Sequence, residues 1–445
     1  MFIKPVLAGC LILSPVQAQD VAVDLDLGDL LAQAVDLSTS EERRNAAREL
    51  AQMEDVSVDQ WLQAAASLLP LEGGAANPGD ITLSVDLDVL GSSESTQLAI
   101  VVPESYDPAA PAPLLVALHG SGGDGASMLW AWRDVAAELG AILLAPTEAG
   151  PNDGFLGTSR ERASVLAAIR WSRRRYNIDE NRIWLTGYSR GGHLCWDLAL
   201  RYPDLFAAAA PCAGGPRFAL ERGTNNIRFF ENLRGLPLRA MLGALDSPGM
   251  IWNAQELIRR TRKAKVESAE LLLIENLGHE LEPQRLDDWA SWFRSSVRDP
   301  LPSTVVRSSV RGDEVRRMWL EVGDFSSSVE EIFKPTLRVK RGESPDQEAL
   351  RTSLISQAIK RTARVEAKLL EPGRLRFDSV GARSVRLLIP RQWIPAKGKL
   401  KVRDGNRQKT FEVEESAQVL LEEFVERFDR TFLPVAELTF KTKGK

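Results

Sequence analysis

Fully apolar segments of four or five residues recur through the middle of the chain, each followed by a stretch with helical periodicity. Segments without polar alternation are typical of parallel strands buried on both faces. The intervening helices would then cover both faces of one sheet, which predicts a doubly wound α/β fold with a mostly parallel sheet. The predicted strands are Leu114–Leu118, Ala141–Ala145, Ile183–Thr186, Phe206–Ala210, Leu238–Leu242 and Leu271–Ile274. The predicted helices span 126–138, 159–176, 190–201, 251–264 and 283–297.

Short helices and a hairpin precede this pattern. Residues 19–70 contain two capping-box patterns, Ser38 with Glu41 and Ser57 with Gln60, each of which marks a helix start. The glycine-rich segment 73–79 is a candidate linker. Alternating apolar and polar residues over 81–89, a turn at 91–95 and a return strand at 98–102 then predict a hairpin.

Strand-like segments dominate the chain after Pro300. Asp404-Gly405-Asn406 is a strong hairpin turn. Two helical stretches, near 346–362 and 416–428, interrupt these strands. The pattern predicts a β-rich, sandwich-like domain. Its predicted strands are 316–322, 336–340, 374–378, 384–389, 399–403 and 409–413.

The first 18 residues resemble an export signal. Lys4 precedes an apolar stretch over 5–16, and Val16-Gln17-Ala18 offers a small-residue cleavage site. The alternatives are a buried N-terminal element and a lipoprotein anchor at Cys10, for which the apolar stretch is short. We therefore predict a periplasmic or extracellular protein with no stable membrane span after the signal. The predicted segments are 1–18 (signal peptide), 19–77 (acidic helical segment and linker), 78–300 (catalytic domain) and 301–445 (β-rich domain).

Charge is distributed unevenly along the 445 residues. Residues 19–77 hold 3 Lys and Arg against 12 Asp and Glu, whereas residues 301–445 hold 29 against 21. A basic domain could bind an anionic polymer, a membrane surface or the acidic N-terminal segment. Because its charges are interleaved, a solvated domain with scattered charge is the favoured interpretation. No nucleic-acid partner is predicted.

The cysteines and histidines do not match a metal site, since three histidines and two cysteines beyond the signal lie far apart. Cys195 and Cys212 would face an oxidising compartment and could form a disulfide. Two buried thiols that pack as small hydrophobic groups are the favoured alternative.

Gly187-Tyr188-Ser189-Arg190-Gly191 lies where a predicted strand meets a predicted helix. This is the Gly-x-Ser-x-Gly nucleophile elbow, in which a sharp turn exposes the serine hydroxyl. The glycines keep side chains out of the crowded turn. The five-residue pattern alone is weak, but its place between strand and helix predicts a nucleophilic Ser189.

His119-Gly120-Ser121-Gly122-Gly123 follows another buried strand, about 70 residues before the elbow. This arrangement resembles the oxyanion loop of α/β-hydrolases. The resemblance implies that the backbone N–H groups of Ser121 and Arg190 form the oxyanion hole. His119 would then brace the loop.

The chain order of this fold family, serine then acid then histidine, implies the other two catalytic residues. His279 follows the last predicted strand and is the candidate base, because His193 lies one helical turn beyond Ser189 and cannot readily reach its hydroxyl. Asp246, just past strand 238–242, is the candidate acid, with Glu275 as the alternative. The resemblance implies no cofactor.

Residues 96–298 resemble the esterase branch that includes polyhydroxybutyrate depolymerases, feruloyl esterases and acetylxylan esterases. The block 187–215 carries the likeness, with Arg-Tyr-Pro-Asp-Leu-Phe-Ala-Ala and Pro-Cys-Ala-Gly-Gly after the elbow. His-Gly-Ser-Gly-Gly is also similar to the phospholipase/carboxylesterase relatives. The region after 300 resembles β-sandwich appendages of exported hydrolases, through Met-Trp-Leu at 318–320 and the segment 385–411. Such an appendage would bind carbohydrate, dock on the catalytic domain or mediate assembly.

The resemblance implies an ester substrate. Its candidates include an acylated polysaccharide and another polymer. Trp130 and Trp132 follow the oxyanion loop and either line a substrate pocket or pack their own helix. The Arg190 side chain either holds a substrate carboxylate or, the favoured role, forms a salt bridge. Two rival functions are a prolyl-oligopeptidase-like serine peptidase and a non-catalytic binding protein. The first usually carries a β-propeller before the catalytic domain, whereas only about 50 helical residues precede it here.

Overall fold

A computed structural model describes most of the chain. The described residues are 26–70, 79–148, 155–218, 225–282, 288–336 and 346–443. The predicted signal peptide and most of the predicted strand 336–340 lie outside them.

Three short helices begin the described chain: α1 (Leu27–Asp36), α2 (Ser40–Ala51) and α3 (Val58–Ser67). The capping box of Ser57 and Gln60 is present at the start of α3. The predicted box of Ser38 and Glu41 is wrong by one residue, because Thr39 caps α2 and pairs with Glu42.

An eight-stranded sheet forms the largest layer. Its strands are β1 (Gly79–Val89), β2 (Ser92–Val102), β3 (Ala112–Leu118), β4 (Ile142–Pro146), β5 (Ile178–Tyr188), β6 (Ala208–Cys212), β7 (Leu238–Gly243) and β8 (Ala269–Ile274). Their order is β1-β2-β4-β3-β5-β6-β7-β8. Strand β2 runs antiparallel to both of its neighbours, β1 and β4, and all the other neighbouring strands are parallel. The predicted α/β-hydrolase fold is confirmed.

The hairpin of β1 and β2 is tighter than predicted. Leu90 and Gly91 both have positive φ, 55° and 82°, so they form a two-residue turn and β2 already begins at Ser92. Turns with two positive φ values match the right-handed twist of the flanking strands.

In the described parts of this region, five helices cover the sheet: α4 (Ala126–Leu139), α5 (Ser159–Arg175), α6 (Arg190–Arg201), α7 (Pro248–Lys263) and α8 (Trp289–Ser295). Side chains of α5, α6 and α7 share one hydrophobic core with the sheet, whereas those of α4 and α8 share another. The helices that follow the neighbouring strands β3 and β5 therefore lie on opposite faces. Such a switch opens a crevice at the carboxyl ends of the two strands, where ligands bind in open α/β sheets.

The described residues after 300 form two further sheets. Its elements are β9 (Thr304–Ser309), β10 (Arg316–Arg317), β11 (Leu320–Val322), α9 (Gln347–Lys360), β12 (Ala363–Glu371), β13 (Arg374–Val380), β14 (Ser384–Pro390), β15 (Lys399–Asp404), β16 (Arg407–Glu412), α10 (Ala417–Arg427) and β17 (Pro434–Lys441). Sheet β10-β11-β14-β17 and sheet β16-β15-β13-β12-β9 share one hydrophobic core, as in a sandwich.

The predicted strand 316–322 is instead two short antiparallel strands, β10 and β11. Met318, between them, has φ of 49°, a left-handed conformation that turns the chain back. The hairpin predicted at 404–406 is confirmed, since β15 pairs with β16 in register from Asp404 and Arg407 outward.

The N-terminal helices share a hydrophobic core with α10. Leu31 of α1 and Trp61 of α3 are fully buried in the cluster that contains Leu421 and Phe424 of α10. A helix from the end of the chain thus completes the core of the first three helices.

Ion pairs with buried carboxylates join the sandwich region to the eight-stranded layer. Arg298 donates to Asp429 at 2.7 Å, Arg430 donates to Glu180 at 2.7 Å, and Arg427 pairs with Asp204. Of the roles predicted for the region after 300, docking on the α/β layer is therefore observed.

Candidate active site

Ser189 lies at the sharp turn between β5 and α6. Its φ of 53° and ψ of −114° are strained for a residue with a side chain, a feature that clusters at functional sites. A methyl group on Gly187, Gly191 or Gly192 would overlap a backbone carbonyl group nearby. The backbone N–H of Ser189 donates to the Cys212 carbonyl at 3.0 Å, which fixes the turn against β6. The predicted elbow geometry is present.

Loops after three different strands bring Ser189, His279 and Asp246 together. The Ser189 Oγ lies 2.8 Å from His279 Nε2, and His279 Nδ1 lies 2.9 Å from Asp246 Oδ2. Asp246 is buried, whereas the imidazole is nearly half exposed, with 45% of its side-chain area accessible. A hydroxyl, an imidazole and a carboxylate in this series form the relay that activates a serine nucleophile.

The two loops that carry His279 and Asp246 are held against each other. The Leu245 N–H donates to the Leu277 carbonyl at 2.9 Å, and a side chain at Gly243 would overlap that carbonyl. The second Asp246 oxygen, Oδ1, accepts from the Ser247 N–H at 2.6 Å. The carboxylate thus has a fixed orientation toward the imidazole.

Tyr188, the residue before the nucleophile, was not singled out from the sequence. Its hydroxyl donates to the backbone carbonyl of His279 at 2.9 Å. Burial, followed by the nearby Asp246 and Glu280, raises the pKa of Tyr188, so the phenol stays protonated and remains a donor. Its place inside the elbow motif is the signal that could have found it.

The loop after β3 lies beside the nucleophile, as the oxyanion-loop resemblance implies. A Cβ on Gly120 would lie 3.3 Å from the Ser189 Cβ and 2.8 Å from the Tyr188 ring. His119 is buried, accepts from the Glu148 N–H at 3.0 Å and packs against Phe155. His119 therefore braces this loop.

Ser121 and Arg190 are the residues predicted to form the oxyanion hole. Ser121 lines the cleft beside Gly120, and Arg190 is the first residue of α6. The first N–H groups of a helix have no partner within the helix and favour negative charge.

His193 is held by Gly215 and not by Ser189. Its Nδ1 lies 2.6 Å from the Gly215 carbonyl oxygen and 3.0 Å from the Gly215 backbone nitrogen. Burial, followed by the positive charge of Arg217, lowers the pKa of His193 and keeps the ring neutral. The structure thus agrees with a packing role.

A cleft of about 490 Å³ opens beside Ser121 and Tyr188. Trp130 lines it with 64% of its surface exposed. Trp132 does not, since it is fully buried with its ring 5.6 Å from that of Trp289. The prediction that Trp132 lines the substrate pocket is therefore wrong. The other lining residues are Gly120, Gly123, Ser127, Met128, Glu280, Leu281 and Glu282.

Cys195 and Cys212 are separate buried thiols. Burial raises the pKa of Cys195 well above its ordinary value and that of Cys212 to about 12, so both stay protonated and unreactive. Among the described residues, no three His, Cys, Asp or Glu side chains are grouped as a metal site. None of the described helices has both the length and the apolar character needed to cross a bilayer.

No family model matches the chain. It is 39% identical over 56 residues to poly(3-hydroxyalkanoate) depolymerase C of Paucimonas lemoignei, covering 13% of this chain and 14% of the relative. It is 31% identical over 112 residues to feruloyl esterase B of Neurospora crassa, covering 23% of this chain and 38% of the relative. It is 29% identical over 136 residues to a probable feruloyl esterase C of Aspergillus flavus, covering 29% of this chain and 50% of the relative. The chain thus spans half or less of the length of these relatives. They confirm the predicted resemblance to this group of esterases.

Solved structures of esterases match about half of the chain. A thermostable esterase matches with 20% identity and a TM-score of 0.41, covering 49% of this chain and 63% of that one. An acetyl xylan esterase from Aspergillus awamori matches with 16% identity and a TM-score of 0.38. The match covers 48% of this chain and 98% of that one.

Proposed function

We propose that this protein is a serine hydrolase that cleaves carboxylic esters through an acyl-enzyme. The observation that carries the proposal is the relay from Ser189 Oγ to His279 Nε2 at 2.8 Å and from His279 Nδ1 to Asp246 at 2.9 Å. Esterase names among the relatives favour an ester over a peptide substrate.

The reaction follows from the contacts of these residues. His279 Nε2 takes the Ser189 proton as Oγ attacks the ester carbonyl, and the imidazolium is stabilised by Asp246. The N–H groups of Ser121 and Arg190 stabilise the tetrahedral oxyanion, each contributing about 2.7–4 kcal/mol in comparable sites. His279 then protonates the departing alcohol. Water, deprotonated by the same nitrogen, releases the acid and restores the Ser189 hydroxyl. No step in this scheme calls for a cofactor.

Trp130 is the side chain that we propose for substrate binding. An exposed indole beside the nucleophile can stack on a sugar or an aromatic acyl ring. Together with the names of the relatives, which include feruloyl and acetylxylan esterases and a polyester depolymerase, this favours an acylated polysaccharide or a polyester. Acting on a polymer outside the cell would require the export predicted from residues 1–18.

The proposal is tested by hydrolysis of p-nitrophenyl acetate with the purified protein and its Ser189→Ala variant. We expect activity in the unaltered protein and loss of about 10⁶-fold in kcat on removal of the nucleophile. Ser291→Ala, an exposed serine on α8, is the matched control and should retain full activity.

The same proteins are compared on peptide p-nitroanilides. Turnover of the anilides with no turnover of the esters would overturn the esterase proposal in favour of the peptidase. Inactivity of the folded protein on both substrate classes would favour the binding protein.

A further inference from the structure

The outer face of the five-stranded sheet carries an exposed group of cations. Along β13 and β15, exposed residues alternate with buried ones such as Leu375, Phe377, Leu400 and Val402, which face the sandwich core. The exposed positions of β12, β13 and β15 therefore share one open surface. Six of them form what we call the cationic face: Lys368, Arg374, Arg376, Lys399, Lys401 and Arg403.

The strand register places like charges directly opposite each other. Arg376 is paired with Arg403, and Arg374 is paired with Lys401, on the adjacent strands β13 and β15. Paired strands lie about 4.8 Å apart, and like charges directly opposite destabilise a sheet. Two such pairs side by side lower the stability of this sheet, and their exposed side chains add nothing to the packing of its core.

Nearby carboxylates neutralise only the rim of the cationic face. Lys368 pairs with Glu366 at 2.8 Å, Arg374 with Glu371 at 3.3 Å, and Lys399 with Glu412 at 3.9 Å.

The centre of the face has no such compensation. Within the part of the chain that the structure describes, Arg376, Lys401 and Arg403 have no carboxylate within 4.0 Å, and Arg403 donates only to the Gly405 carbonyl. These three central cations are available to an external anion.

We propose that the cationic face binds a polysaccharide chain that bears carboxylate groups, such as a polyuronate. Two guanidinium groups offer planar pairs of N–H donors that match carboxylates, and the grid of cations lets several sugar residues bind at once. The choice of a polysaccharide among polyanions rests on the proposed function. Binding on this sheet would hold the enzyme on its polymer while the cleft beside Ser189 acts on ester groups.

The composition of the face argues against other polyanions. Single-stranded nucleic acids bind to surfaces where aromatic side chains stack on bases. Leu370 and Val380 are the large apolar side chains exposed on this sheet among the described residues, and neither is aromatic. Gln408 and Thr410, which continue the rows of cations on β16, are exposed polar residues suited to sugar hydroxyls.

The test is isothermal titration calorimetry of the full chain with polygalacturonate at low salt. The variant replaces Arg376, Lys401 and Arg403 by Gln. The matched control replaces three exposed cations elsewhere, Arg262, Lys263 and Lys360, by Gln and so removes the same charge. We expect the first variant to bind at least about tenfold more weakly and the control to bind like the unaltered protein. Raising salt to about 0.3 M should abolish most of the difference by screening.

Further measurements separate this proposal from its rivals. Both variants should hydrolyse p-nitrophenyl acetate normally, so failure of binding and failure of the proposed function are read separately. Equal weakening in the control would overturn the proposal, because net charge would then suffice. Binding to phosphatidylglycerol vesicles but not to polygalacturonate, or equal binding to neutral xylan, would also overturn it.

Discussion

At the scale of single residues, the Asp246 carboxylate decides which nitrogen of His279 carries the proton. It accepts from Nδ1, so Nε2 is left to accept from Ser189. An asparagine there could donate its amide hydrogen to Nδ1 and fix the opposite tautomer. We expect Asp246→Asn to lower kcat for p-nitrophenyl acetate by about 10⁴-fold, as in a comparable triad, with the fold unchanged.

Glu275→Gln supplies the control for this prediction, because Glu275 was the alternative acid and is exposed just after β8. Its activity should stay within about twofold of the unaltered protein, the range expected of an exposed residue away from the relay. Loss of activity in Glu275→Gln, with retention in Asp246→Asn, would show that the acid had been assigned to the wrong residue.

Trp130 and Trp132 form a second matched pair. Trp130 is exposed in the cleft, so Trp130→Ala should raise KM for aromatic or sugar esters while stability changes by less than about 0.5 kcal/mol. Trp132 is fully buried against Trp289 and Phe293, so Trp132→Ala should cost about 3–5 kcal/mol of unfolding free energy. Urea unfolding and steady-state kinetics on both variants check this. An unaltered KM in Trp130→Ala would remove it from the substrate site.

Sequence patterns located the relay residues but could not separate these two tryptophans. Ser189, Asp246 and His279 each follow an apolar strand, and parallel strands of one sheet end at the same edge, so their meeting could be predicted. Two residues apart on a helix, Trp130 and Trp132 point in different directions. Which one is buried depends on Trp289, more than 150 residues away in the sequence.

At the scale of elements, local composition left some strands undetected. β12 places Ala363, Val365 and Ala367 in the core, while Arg364 and Glu366 face outward. Ala, Glu, Lys and Leu favour helices, which obscures this alternation. This segment is a strand because it pairs with β9 and β13. Of these, β9 lies more than 50 residues earlier in the chain.

The start of α2 shows a similar limit. The capping-box pattern fits both Ser38 with Glu41 and Thr39 with Glu42, since each serine or threonine precedes a glutamate by three residues. Arg43 decides between them in the folded protein, because it is buried and its guanidinium donates to the Leu37 and Ser38 carbonyls at 3.0 Å. The burial of Arg43 depends on packing in the folded protein, which a local sequence pattern does not show.

The cationic face predicts an unusual stability change. Arg376→Thr should raise the unfolding free energy by about 0.2–1 kcal/mol, because it removes repulsion from Arg403 and threonine suits a strand. Urea unfolding at low salt measures this. Arg376→Lys retains the repulsion and should show no gain, and about 1 M salt should shrink the gain by screening. A loss of stability in Arg376→Thr at low salt would show that the arginine stabilises the sheet.

At the scale of the whole molecule, segments far apart in sequence complete one another. The core of the N-terminal helices includes α10, about 350 residues later in the chain, and Ile355 of α9 packs into the core of the eight-stranded layer. Amphipathic patterns could show that each of these helices has an apolar face. They could not show which partner covers it, since that depends on contacts between the ends of the chain. The segment boundaries at 77 and 300 stay predictions.

The buried carboxylates in the ion pairs between the layers make stability depend on pH. Burial raises the pKa values of Asp204 and Asp429, but the arginines around them, chiefly Arg427 and Arg298, outweigh it and lower both. A carboxyl group with a lowered pKa in the folded state stabilises the fold above its unfolded pKa of about 3.9. That contribution is lost as pH falls through the lowered values. The protein should therefore keep it between pH 5 and 7 and lose it progressively below about pH 4.

Asp429→Asn tests this mechanism, because it leaves the Arg298 guanidinium buried without its carboxylate. At pH 7 we expect a loss of about 3–5 kcal/mol in unfolding free energy, since an uncompensated buried charge is costly. Below about pH 4 the difference from the unaltered protein should narrow as the native carboxyl groups become protonated. Asp378→Asn, at an exposed site, is the control and should change stability by less than about 0.5 kcal/mol. Urea unfolding across this pH range measures the difference in unfolding free energy between the unaltered protein and Asp429→Asn. If that difference stayed constant below about pH 4, Asp429 would stabilise the interface by its shape and hydrogen bonds and not by its charge.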